Sequence, residues 1–140
     1  MKIKDLMTTA VTWIRPNTSV TQIANLMRQE NIGALPVCTD RGELLGIVTD
    51  RDIVIRSLPE GSNKKTAEDI MTKHPVFVHP DMNTHQAALL FAKYQVRRLP
   101  VIEGKKLIGM VSLGDLAKKT LYIDEAGDAL SAISKPSTLN

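Results

Sequence analysis

Two short stretches carry the residue types best suited to chemistry. In Gly46-Ile47-Val48-Thr49-Asp50-Arg51-Asp52 a hydroxyl stands three residues before a carboxylate, and Gly109-Met110-Val111-Ser112-Leu113-Gly114-Asp115 repeats that spacing. A carboxylate so placed can accept both hydroxyls of a ribose diol, while a hydroxyl beside free amides at a helix N-terminus can bind phosphate oxygens. The same spacing is a capping box, in which the two side chains satisfy the first amides of the helix they open. One copy alone would read as a cap. Two copies at equivalent positions, each behind a glycine, a hydrophobic residue and a valine, keep the ligand reading open beside it. Arg97-Arg98, directly before Leu99-Pro100, is the sharpest remaining feature. Two guanidinium groups can hold a phosphate through several charge-assisted bonds, and cations at a helix end are also favoured by the dipole.

Other side chains offer less. His74 and His79 each precede a proline and His85 begins a helical pattern, with no cysteine or carboxylate set at metal-ligand spacing, so no metal site is expected. No nucleophile elbow, phosphate-binding glycine loop or dinucleotide fingerprint is present, and the acidic residues form no acid–base pair. Enzymatic activity has no positive support. Cys38 is the single cysteine and sits in an apolar run, which excludes an intramolecular disulfide and suits a buried thiol. Trp13 reads as strand packing.

The elements that position these residues occur twice. At an offset of 64, Asp5, Met7, Thr8, Pro16, Gln22 and Leu35-Pro36-Val37 fall on Asp69, Met71, Thr72, Pro80, Gln86 and Leu99-Pro100-Val101. After a one-residue deletion in the second turn, Leu44, Gly46, Val48 and Asp52 fall on Leu107, Gly109, Val111 and Asp115. The spacing predicts, in the first copy, a turn of helix at 3–7, a strand at 11–14, an amphipathic helix at 19–30 on Val20, Ile23, Ala24 and Met27, strands at 34–38 and 44–48, and a last helix carrying Ile53, Val54 and Leu58. The second copy predicts a turn at 67–71, a strand at 76–78, a helix at 83–95, strands at 98–102 and 106–111, and a helix at 113–121. The fold class is α/β, mixed α+β, with two β-α-β-β-α repeats at 1–58 and 67–121, a linker at 59–66 and a C-terminal extension at 122–140. A unit so short rarely buries a sufficient core alone, so the copies should pack through their sheets.

Composition narrows the class of partner. A hydrophobic fraction of 43% with only 4% aromatic residues implies an aliphatic core and few stacking platforms, which disfavours a nucleic-acid module. The formal charge of +3 is too small and dispersed to indicate a polyanion. No apolar run approaches the length of a membrane span, and the expectation is a soluble cytoplasmic protein.

Leu-Pro-Val in both copies, GIVTDRD and GMVSLGD, and the β-α-β-β-α order resemble a tandem pair of CBS domains, also called a Bateman module, above all the small stand-alone pairs of bacteria and archaea, some linked to stress responses. The resemblance implies two clefts between the copies that take adenine nucleotides, each with its ribose aspartate from one copy and its adenine-contacting first strand from the other. It implies Ser112 and Asp115 with Met7, Thr12 and Gly33 beside the base and Arg97 and Arg98 facing the phosphates. In the other cleft it implies Thr49 and Asp52 with Met71 and Val76 beside the base. Here the counterparts of the two arginines are Gly33 and Ala34, so unequal occupancy is expected. The implied ligands are AMP, ADP or ATP, with S-adenosylmethionine or NAD as alternatives and no required cofactor. The implied assembly is a homodimer, with the helices at 19–30 and 113–121 near the interface or core, that signals to a protein partner. A purely structural dimerisation module, whose Thr49, Asp52, Ser112 and Asp115 are only caps, is the main alternative.

Overall fold

The computed structural model describes residues 1–61 and 64–118. The expectations for 122–140, and for the helix beyond Lys118, fall outside them.

The chain divides into two compact units that do not coincide with the sequence repeats. One comprises Thr12–Pro75 with Lys105–Leu107, and the other Met1–Val11, Val76–Gly104 and the described chain from Ile108. Each repeat thus gives its leading segment to the unit built on the other repeat.

In the unit of Thr12–Pro75, helix α1 (Val20–Glu30) starts where Ser19 accepts the amide of Gln22 and Gln22 returns the bond to the Ser19 amide. It stops at Asn31, which adopts the left-handed conformation at φ 54°. Val20, Ile23 and Met27 are buried along one stripe, while Ala24 is exposed. Strands β1 (Ala34–Cys38) and β2 (Leu44–Thr49) form an antiparallel hairpin, and β3 (Thr72–Lys73) joins the free edge of β2. Leu35, Val37 and Val48 meet the helix stripe and Ile70 in one core.

Beyond β2 the chain forms helix α2 (Asp50–Asp52) and then widens into π geometry over Ile53–Ser57. The extra residue in that turn rotates the face away from the one that ordinary helical spacing predicts. Ile53 packs on the core, but Val54, Ile55 and Leu58 are more than half exposed. Helix α3 (Ala67–Ile70) closes the unit, with the Ala67 and Glu68 amides donating to the carbonyls of Thr18 and Pro16.

The other unit repeats these bonds with the roles of the copies exchanged. A 3₁₀ turn at Ile3–Asp5 docks through the amides of Ile3 and Lys4 on the carbonyls of Met82 and Pro80. Helix α4 (Thr84–Tyr94) is capped by Asn83, strands β4 (Arg98–Glu103) and β5 (Lys106–Ser112) form a two-stranded sheet, and α5 (Leu113–Ala117) follows. Phe91, Ile3, Leu99 and Leu116 are its largest fully buried side chains.

The strands expected at 11–14 and 76–78 shrink to single parallel bridges, Ile14 to Val37 and Val78 to Val101. The cause lies two residues on. The next donor on that edge would be Pro16 or Pro80, which has no N–H to give.

Candidate functional site

The end of the second hairpin strand positions the candidate residues in both units. Thr49 is extended and caps α2: its hydroxyl accepts the Asp52 amide at 3.2 Å, and Asp52 Oδ2 accepts the Thr49 amide at 2.9 Å. Ser112 and Asp115 do the same at 3.0 and 2.8 Å. Both capping boxes are complete. Each uses only one carboxylate oxygen, so Oδ1 is left for another partner.

For Asp52 that partner is Arg56, whose Nε lies 3.7 Å from Oδ1 and whose Nη1 also reaches the carbonyls of Ile70 and Met71 at 3.3 and 3.4 Å. Asp52 is buried at 8% exposure. Asp115 is half-buried, and no further hydrogen bond or ion pair reaches its carboxylate among the described residues.

The glycines of the two motifs explain how the leading segments come so close. A Cβ on Gly109 would lie 2.8 Å from the Thr8 carbonyl and 2.9 Å from Met7 Sδ; on Gly46 it would lie 2.7 Å from both Thr72 O and Met71 Sδ. Only a hydrogen fits. Thr8 then exchanges two backbone bonds with Met110, and Thr72 pairs with Ile47. Met7 stands in the unit of Asp115, and Met71 in the unit of Asp52, each partly buried against its core. Each thus lies against the motif glycine of the opposite repeat.

The start of the first hairpin strand supplies a third point of correspondence. The Gly33 carbonyl accepts the Asp50 amide at 2.9 Å, and the Arg97 carbonyl accepts the Leu113 amide at 2.8 Å. Arg97 and Arg98 are exposed, and among the described residues neither forms an ion pair. Thr12 and Gly33 belong to the unit of Asp52, where the Thr12 hydroxyl donates to Glu30 at 2.7 Å. Val76 belongs to the unit of Asp115 and packs against its core.

Sequence reasoning missed Arg56 and Asp50. Arg56 lies four residues after Asp52, a spacing whose ion pair could have been anticipated on an ordinary helix. Asp50 carries no signal apart from its place inside the motif. Trp13 lines an open groove of about 510 Å³ with Arg15, Gln22 and Asn25, and the Arg15 guanidinium lies 5.9 Å from its ring. No group of three or more metal-ligating side chains gathers among the described residues. Among them no helix is long and apolar enough to cross a membrane.

Comparison with known proteins finds matches to the CBS domain at residues 3–58 and 67–122. The CBS domain-containing protein YhcV of Bacillus subtilis is 41% identical over 133 residues, covering 94% of each chain. The solved structure of Hypoxic Response Protein I with two coordinated zinc ions is similar at 35% identity and a TM-score of 0.78, covering 84% of this chain and 98% of that one. CBSX2 in complex with AMP matches at 28% identity and a TM-score of 0.78, covering 87% and 97%. The CBS domain pair of MJ0100, in complex with 5′-methylthioadenosine and S-adenosylmethionine, matches at 28% and 0.74, covering 84% and 94%.

Proposed function

We propose a function from the premise that the chain belongs to the CBS-domain family, as two CBS domains in tandem. It is a regulatory module that binds an adenosine-containing ligand and reports occupancy to a protein partner. The observation that carries this reading is duplicated: a capping aspartate at the end of a hairpin strand, with the leading segment of the other repeat pressed onto the motif glycine beside it. AMP, 5′-methylthioadenosine and S-adenosylmethionine, found in similar solved structures, have adenosine in common. Asp52 and Asp115 accept the ribose diol and Thr49 and Ser112 face the 5′ end. Met7, Met71, Thr12, Gly33 and Val76 flank the base, and Arg97 and Arg98 meet phosphate. AMP, ADP or ATP is the ligand, with S-adenosylmethionine and NAD as the other adenosine compounds to be tested.

The protein catalyses nothing in this reading. A ligand that favours one arrangement of the chain shifts its population, and a partner responds to the shift. The protein is cytoplasmic and works as a homodimer, for which the exposed apolar Val54, Ile55 and Leu58 provide support. Likeness to a hypoxic response protein supports a role in a stress response.

Calorimetric titration of AMP, ADP, ATP, NAD and S-adenosylmethionine into wild type, Asp52→Asn and Asp115→Asn tests the reading. Each substitution should remove one set of sites while the protein stays folded. Absence of heat with every ligand would overturn it. An interaction module that takes no ligand is the second reading, favoured by the capping boxes, in which Thr49, Asp52, Ser112 and Asp115 each serve the helix they open. In that case Asp115→Asn changes the melting temperature alone.

A further inference from the structure

The two copies of the candidate site differ in charge at four matching places: Arg97 and Arg98 stand against Gly33 and Ala34, and Leu113 and Gly114 against Asp50 and Arg51. Where the second repeat has Arg97 the first has Gly33, and both backbone carbonyls accept from the residue that opens the next helix. That residue differs as well. Leu113 is buried and apolar, whereas Asp50 is exposed, with Oδ1 held by the Arg51 amide at 2.8 Å. Asp50 Oδ2 lies 3.1 Å from where a Cβ on Gly33 would stand. A carboxylate therefore covers the point from which, in the other unit, an arginine side chain leaves the backbone.

Among the described residues no cation forms an ion pair with Asp50. Arg56 is engaged by Asp52 and by the carbonyls of Ile70 and Met71. Arg51 follows Asp50 by one position, and consecutive helical residues do not face each other. In the unit of Asp115, by contrast, two exposed arginines stand without a carboxylate partner among the described residues.

We propose that the two sites select ligands by the charge at the 5′ end. The site of Asp115 takes an adenosine ligand bearing a 5′-phosphate, and the site of Asp52 takes one that is neutral or positive at that end, with Asp50 as the residue that rejects phosphate. The inference rests on the nucleoside reading above and assigns a class of ligand to each site. Its physical basis is direct: a phosphate is repelled beside an unneutralised carboxylate and attracted beside two guanidinium groups.

Titration of AMP, adenosine and S-adenosylmethionine into Asp52→Asn and Asp115→Asn separates the sites, asparagine being kept because its amide oxygen can still cap the helix. With Asp52→Asn, AMP should bind about tenfold more tightly than adenosine, and Arg97→Ala combined with Arg98→Ala in that background should abolish the difference. With Asp115→Asn, adenosine and S-adenosylmethionine should bind about tenfold more tightly than AMP, and adding Asp50→Asn should raise AMP affinity. The wild type gives an independent measurement: saturation with AMP should leave a second site on each chain open to S-adenosylmethionine. The same preference at both sites, or full competition between the two ligands in the wild type, overturns the charge assignment and leaves the nucleoside reading intact. No binding by any of the three overturns that reading, and the charge assignment with it.

Discussion

At the scale of single residues, the two motif glycines are set by distance rather than by backbone freedom. Both are buried, and a methyl group at either would meet a carbonyl oxygen of the leading segment well inside van der Waals contact. Gly46→Ala and Gly109→Ala should each destabilise the protein by about 1–3 kcal/mol in urea unfolding, because backbone must shift to admit the new atom. Cys38 illustrates a different residue-scale effect. It is fully buried, and burial pushes its thiol from 9.0 up to about 11. The folded state therefore favours the neutral thiol, so its stabilising contribution is complete below pH 9.0 and is lost as pH rises to about 11. Urea midpoints measured across that range should fall less steeply for Cys38→Val than for wild type. The buried thiol was legible in the sequence, from the apolar run around it. The glycine contacts were not, since they depend on a segment about 25 residues or more away along the chain reaching the same strand.

At the scale of elements, helices α1 and α4 begin at full capping boxes and end at left-handed residues, Asn31 and Gln95. Ser19→Ala and Asn83→Ala should each cost about 0.5–2 kcal/mol, measured by thermal or denaturant unfolding. These helices could be read directly, because capping is a local matter of side chains reaching amides two or three residues on. The segment after Asp52 could not. Its apolar residues fit an ordinary helix, but the π turn at Ile53–Ser57 places Val54, Ile55 and Leu58 on an exposed face. The leading strands are cut to single bridges because Pro16 and Pro80, which follow them, lack the donor needed to extend a parallel ladder.

For the whole molecule, the exposed apolar face is the feature with the clearest consequence. Sedimentation should give a mass twice that of the 15.4 kDa chain, and Ile55→Glu combined with Leu58→Glu should shift it to monomer without unfolding it, since both positions are exposed. A wild type that sediments as a monomer would end the homodimer reading. Each leading segment belongs to the unit built on the other repeat, so removal of residues 1–8 should destabilise the unit that holds Phe91 and Asp115.

The sequence by itself determined the duplication, the two long helices and the hairpin that follows each, the caps and the pairing of hydroxyl with carboxylate, all of which depend on periodicity or on contacts within a few residues. Tertiary structure alone decided that the compact units exchange their leading segments, that Arg56 engages Asp52, and that Asp50 covers Gly33 where Arg97 stands in the other copy. The first and last of these join residues distant in the chain, whose approach is set by how hydrophobic faces are buried together. The second is local, but it depends on the angle at which a widened helical turn projects its side chain.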